Sequence, residues 1–173
     1  MTILAEPPPS ATASPAAAVL RRRMLSPLWL RLFMLAKLPL ALAAGVRLRE
    51  LDAERCAASV PYGWRSTNPF RSTYFAALSM AAELSTGALA MYHVRQAPRS
   101  VAMLIVGLEA RFEKRATTLT TFTCEAGAAL AEAIAKTLRD GEPAAARAET
   151  VGRASDGTVV ARFAFTWSFK RRD

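Results

Sequence analysis

From Val46 onward, apolar and polar positions alternate at period two except in two stretches that follow a helical period. "VRLRELD" alternates, and "ERCAASVPYGW" continues it as a second arm, with Asp52 to Glu54 as the turn. "TNPFRSTYFAALSMAAELSTG", residues 67–87, is apolar on nearly every side and predicts a helix of about 20 residues ending near Gly87 or His93. "SVAMLIVGLEARFEKRA" and "TTLTTFTCEA" predict two further strands, and "GAALAEAIAKTLRDGEP" a short amphipathic helix closed by Asp140-Gly141 and Pro143. The last segment predicts a hairpin turned at Asp156-Gly157, with Val159, Ala161, Phe163, Phe165, Trp167 and Phe169 on one face. A long helix with no polar side needs burial all round, and one curved antiparallel sheet wrapped about it supplies that burial.

Before Val46 the pattern changes twice. Residues 1–18, "MTILAEPPPSATASPAAA", are rich in Pro, Ala and Ser and predict a disordered tail. Residues 19–45 predict an amphipathic helical extension, kinked or stopped near Pro39, with Ser26, Lys37, Arg23 and Arg31 within a polar arc of roughly 140° at 100° per residue. Pro27, Arg31, Lys37 and Pro39 interrupt the run, which falls short of the roughly 20 apolar residues of a membrane span. The same breaks argue against a secretory leader. The extension therefore either packs on the domain formed by residues 46–173 or rests weakly on a membrane surface. The expected location is cytoplasmic, free or peripheral at the inner membrane surface.

Composition and charge narrow the class of function. Hydrophobic residues make up 52%, which excludes a chain disordered throughout. The net charge of +9 is concentrated at the start, where residues 1–49 hold Arg21, Arg22, Arg23, Arg31, Lys37, Arg47 and Arg49 against Glu6 alone. No basic stripe interleaved with aromatics crosses the rest, so a nucleic-acid partner is not expected. Cys56 and Cys124 lack metal-ligand spacing and predict two reduced, buried thiols. His93 is the single histidine, which rules out a histidine metal cluster; any Ser/His/Asp or Cys/His machinery would have to use it, and no nucleophile-elbow glycines stand near it.

One carboxylate, Glu83, stands inside the apolar helix among Met80, Ala81, Ala82 and Leu84. Arg71, Arg95 and Arg99 are candidate ion-pair partners for it; without one, desolvation raises its pKa toward the range of a general base. Fifteen residues earlier stands Asn68, which equally suits a turn before Pro69.

The element order and the segment "NPFRSTYFAALSMAAELSTG" resemble the hotdog fold of the acyl-CoA thioesterase superfamily. The phenylacetate-pathway thioesterase branch carries Asn-x5-His-Gly-Gly-x6-Asp/Glu; here Asn68 stands first, Tyr74-Phe75-Ala76 occupy the His-Gly-Gly places, and Glu83 falls at the acidic position. The wording is similar also to a bacterial hotdog family catalogued as a domain of unknown function. The resemblance implies an α+β hotdog fold and hydrolysis of an acyl-CoA or acyl-carrier-protein thioester, with CoA present only as part of the substrate and no other cofactor or metal. It implies Glu83 as general base or nucleophile, Asn68 as the group orienting water or carbonyl, and Tyr74, Phe75 and Ala76 at the substrate, the last two offering backbone amides.

Ser72 to Glu83 spans roughly 16 Å along a helix, so Glu83 cannot act on a carbonyl held at the start of its own helix. A homodimer with antiparallel central helices, or a tetramer of two such pairs, brings Glu83 of one subunit to the amides of the other. Arg71, Arg99 and Arg115 are candidates for a CoA phosphate. Two other functions fit the same residues: an acyl-thioester-binding protein without turnover, because Tyr-Phe-Ala narrows the approach, and a membrane-associated scaffold. A hydratase fits less well, since His93 lies ten residues beyond Glu83.

Overall fold

The computed structural model describes residues 14–172. Three short helices open it, each with proline at its first turn: α1 (Pro15–Leu25), α2 (Pro27–Lys37) and α3 (Pro39–Ala44). Proline needs no N–H there and its φ is already helical, so the same residue that stops one helix starts the next. The expected extension is thus three rods rather than one, broken at Ser26-Pro27 as well as at Pro39. The tail expected over residues 1–18 also ends sooner. Ser14 caps α1 by accepting the Ala17 N–H on Oγ at 3.3 Å, and Ala17 is fully buried; residues 1–13 lie outside the described residues.

The extension packs on the domain. Met24, Leu30, Met34, Ala41 and Ala44 are buried in the common core, the Arg21 Nε donates to the Leu51 carbonyl at 2.6 Å, and the Ser14 Oγ donates to the Arg95 carbonyl at 3.2 Å. Among the described residues, no helix is long and apolar enough to cross a membrane.

The strands are β1 (Arg47–Leu51), β2 (Cys56–Val60), β3 (Val101–Phe112), β4 (Thr120–Cys124), β5 (Ala144–Arg153) and β6 (Val159–Arg171). All neighbours pair antiparallel in the order β1-β2-β4-β5-β6-β3, which puts β3 at an edge. The β5–β6 hairpin turns where the sequence predicts: Gly157 takes φ 85, and Asp156 Oδ1 accepts the Thr158 N–H at 2.9 Å. Cys56 and Cys124 are cross-strand neighbours, both free and buried. Burial pushes both thiols up, Cys124 to about 11, so neither is a ready thiolate.

The central helix α4 (Phe75–Val94) lies against β1, β2, β4, β5 and β6, with the second helix α5 (Gly127–Asp140) beside it. Its buried alanines, Ala77, Ala81, Ala82, Ala88 and Ala90, let the sheet approach closely, while Leu78, Leu84 and Leu89 fill the gaps. Three polar side chains on α4 hold it in place. Ser85 Oγ pairs with Thr150 Oγ1 of β5 at 2.8 Å, Trp167 Nε1 of β6 donates to Thr86 Oγ1 at 3.1 Å, and His93 Nε2 bonds the Ala53 carbonyl at 2.9 Å. On β6, the predicted inner row of Ala161, Phe163, Phe165, Trp167 and Phe169 is buried, with Val159 half-buried. One helix held in a curved antiparallel sheet is the α+β hotdog arrangement.

Candidate active site

Glu83 sits in the middle of α4, half-buried, with no hydrogen bond or ion pair to its carboxylate among the described residues. Arg71, Arg95 and Arg99 do not pair with it. Burial alone raises its pKa above the ordinary 4.5. The carboxylate lies over Gly87, one turn on: a Cβ built on Gly87 would meet Glu83 Oε1 at 2.9 Å and Trp167 Cζ2 at 3.2 Å. The glycine thus leaves the space that the acid occupies. Two clefts flank Glu83. One, of about 160 Å³, is walled by Met24, Phe33, Met91, Met103 and Trp167; the other, of about 300 Å³, by Leu40, Ala41 and Met80. Lys37 and Leu38, at the α2–α3 junction, line both.

Asn68 lies in the loop before α4 and builds the turn that the sequence allowed. Its Oδ1 accepts from the Phe70 N–H at 3.0 Å, the Ser72 N–H at 3.2 Å and the Ser72 hydroxyl at 3.2 Å. Arg71 takes φ 57 inside this turn, and Arg115 donates to the Phe70 and Arg71 carbonyls. Arg115 is therefore a loop tether. The Asn68 Nδ2 donates to no acceptor among the described residues.

The helix then starts abruptly. Tyr74 takes the N-cap position without a side-chain cap, and the Phe75 and Ala76 N–H groups have no acceptor among the described residues. Tyr74 and Phe75 do not pack in the core: they are 47% and 55% exposed, edge to face with ring centroids 4.9 Å apart. With Asn68, Phe70 and Phe112 they line an open cleft of about 610 Å³.

The structure thus gathers Asn68, Tyr74 and Phe75 at one cleft, with Ala76 in the first turn beside it, and leaves Glu83 apart. From Phe75 to Glu83 the helix rises roughly 12 Å. Three neighbours of the site were not singled out from the sequence. Gly87 carried a signal, since i+4 spacing puts it on the face of Glu83. Lys37 and Trp167 carried none, because only the packing of α2 and β6 brings them near. No group of three or more His, Cys, Asp or Glu side chains is placed to hold a metal among the described residues.

Known structures share this architecture. A Pseudomonas aeruginosa protein of unknown function described as a probable thioesterase aligns with TM-score 0.70 at 19% identity, covering 87% of this chain and 99% of its own. A protein of unknown function from Chlorobaculum tepidum aligns with TM-score 0.71 at 13% identity, covering 86% and 99%. A thioesterase from Haemophilus influenzae aligns with TM-score 0.59 at 11% identity, covering 81% and 88%. At these identities the likeness speaks to the hotdog fold alone. No curated protein matches the sequence. A family model does, over residues 28–169, from α2 to the end of the central sheet, and the chain accordingly belongs to the family described as "Domain of unknown function (DUF4442)".

Proposed function

We propose that the chain hydrolyses acyl thioesters, of CoA or an acyl carrier protein, at a site composed by two subunits. The observation that carries this is Glu83: a desolvated carboxylate without an ion pair, in the middle of the central helix of a hotdog fold, with an open space left for it by Gly87. Desolvation raises the proton affinity of this carboxylate, which makes it a better base toward water than an exposed one. The water oxygen then bonds to the thioester carbon, the C–S bond breaks, and the sulfur leaves as a thiol, taking back the proton that Glu83 had accepted. In the alternative course the Glu83 carboxylate attacks the thioester carbon and expels the thiolate, forming a mixed anhydride that water opens to the free acid and the restored carboxylate.

The developing oxyanion needs donors, and the unpaired Phe75 and Ala76 amides at the positive end of α4 supply two. Asn68 supplies a third through Nδ2, its Oδ1 being engaged by the loop. A second subunit with its α4 antiparallel would close the 12 Å gap between these donors and the acid. Two features favour a second copy. The edge strand β3 is twelve residues long and exposes Leu104, Val106, Leu108 and Phe112, and the cleft at Phe75 is open beside it. The likeness to proteins described as thioesterases supports the reaction class.

The second reading, an acyl-thioester binder without turnover, is favoured by the exposed Tyr74 and Phe75 rings at the entry to the amides. Release of free thiol from acyl-CoAs of several chain lengths tests both, with Glu83→Gln and Asn68→Ala alongside and sedimentation for the assembly state. Hydrolysis lost in folded Glu83→Gln and reduced in Asn68→Ala is the expected result. Saturable binding without turnover in the wild type moves the assignment to the second reading, and full turnover by a monomer refutes the shared site.

A further inference from the structure

The N-terminal helices present a surface that the hydrolytic site does not use. At 100° per residue, Leu28, Leu32 and Leu35 form a stripe on α2 opposite the buried Leu30 and Met34. The stripe faces outward: Leu28 is 66% and Leu35 63% exposed, and on α3 Leu40 reaches 74%. Trp29 stands beside it with the Arg23 guanidinium 5.2 Å above its ring. An exposed row of leucines on a helix that already buries its other face is not required by the fold, and it costs solubility.

Next to the stripe lies a cleft of about 580 Å³, with Leu35 in its wall. Four arginines from three parts of the chain line it: Arg31 of α2, Arg47 and Arg49 of β1, and Arg65 of the loop between β2 and α4. Arg49 is held by Ser59 Oγ at 2.7 Å, while none of the four has an ion-pair partner among the described residues. From Ser14 to Arg49 the sequence contains no Asp or Glu at all. The surface is therefore apolar at its centre and cationic throughout its surround, with nothing to neutralise it from within.

We propose that this face docks on an anionic phospholipid bilayer, the leucines and Trp29 entering the acyl boundary while the arginine cleft takes lipid phosphates. Charge decides between the possible occupants. A second copy related by a two-fold axis would set like charges against each other. An acidic protein would match the arginines but leave the leucines in water. A bilayer bearing anionic headgroups satisfies both, and the pairing of an aromatic and basic side chains beside an apolar stripe is the pattern of an interfacial helix. Docking here does not depend on the thioesterase reading, and it would present the enzyme or binder at the membrane surface.

Flotation of the full chain with phosphatidylcholine vesicles, with and without phosphatidylglycerol, tests it. The expected result is binding to the anionic vesicles, much weaker binding to neutral ones, and weakening with added salt. Arg31→Ala and Arg47→Ala should each lower the partition about fivefold, the effect of one basic group near a charged membrane. The double variant Leu32→Asp with Leu35→Asp should stop floating while its circular dichroism is unchanged. Wild type that ignores both vesicle types, or binds them equally, overturns the proposal. So does a wild type that fails to float and sediments as a larger species than the double variant, which makes the stripe a contact between copies. Should the double variant fail to fold, brominated lipid decides in a Trp64→Phe background, which removes the exposed indole of the loop before α4 and leaves Trp29 exposed and Trp167 buried: quenching supports docking, and its absence overturns it.

Discussion

Replacing Gly87 by alanine separates the stability of α4 from the placement of Glu83. In a helix interior this change is ordinarily favourable by about 1 kcal/mol, because glycine loses more backbone freedom on folding. Here the new methyl would stand 2.9 Å from Glu83 Oε1 and 3.2 to 3.3 Å from Trp167 Cζ2 and Cη2. The carboxylate is the free end of a flexible side chain and swings aside cheaply. The indole is held by its 3.1 Å bond to Thr86 and gives by a few tenths of an ångström, an overpacking cost of about 1 kcal/mol. The two terms cancel to within about 1 kcal/mol. The carboxylate, however, no longer rests where it did, and a misplacement near 1 Å in a catalytic group costs about a hundredfold in rate.

The expected result for Gly87→Ala is thus a urea midpoint close to that of the wild type, with thiol release reduced at least tenfold. In a protein that binds without turnover, the same displacement reads as a shifted titration of the Glu83 carboxyl by carbon NMR. A loss of several kcal/mol refutes the cancellation and means Trp167 cannot yield. Unaltered turnover and an unaltered Glu83 titration refute the idea that the space over Gly87 positions the acid.

Other outcomes follow from the same geometry. Glu83 has a folded pKa above the ordinary 4.5, so the stability of its neutral form is complete below 4.5 and is lost as pH rises through the folded value. Glu83→Gln should therefore be more stable than the wild type at neutral to alkaline pH and equal to it in acid; a constant difference across pH contradicts this. His93 behaves in the opposite sense. Burial lowers its pKa below 6.5, its bond to the Ala53 carbonyl acting against that shift, so its contribution is present above 6.5 and is lost as pH falls through the folded value. Chemical denaturation of a His93→Gln variant should lose that acid-limb slope. Gly152→Ala places a methyl 2.5 to 2.6 Å from the ring of Phe122, which is fully buried edge-on to Phe163, and should cost about 1 to 3 kcal/mol in urea. Adding Phe122→Leu should recover part of the loss, and a midpoint unmoved by the single change would show that the ring has room.

Much of the molecule was legible one segment at a time. The alternation of "VRLRELD", the inner row of β6 and the turn at Asp156-Gly157 are properties of neighbouring residues. So is the oddity of Glu83, a charge inside an apolar rod. The break at Pro27 was legible too, since Ser26-Pro27 is a helix start in itself; the polar arc drawn across it described a helix that does not exist. What α2 buries and what it exposes could not be read, because Leu28 and Leu30 are equally apolar and only the position of the domain tells them apart.

Sequence period alone determined the type of each main element from Val46 on, though not where the central helix begins, because 3.6 and 2 residues per repeat follow from local backbone geometry. Tertiary structure decided everything that depends on a meeting of distant segments. It set β3 at the edge of the sheet beside β6, Trp167 above the space of Gly87, the α2–α3 junction over Glu83, and Arg65 in one cleft with Arg31. Those meetings are fixed by strand order and by the curvature of a sheet closing on one helix, quantities to which every residue contributes and which no short stretch encodes.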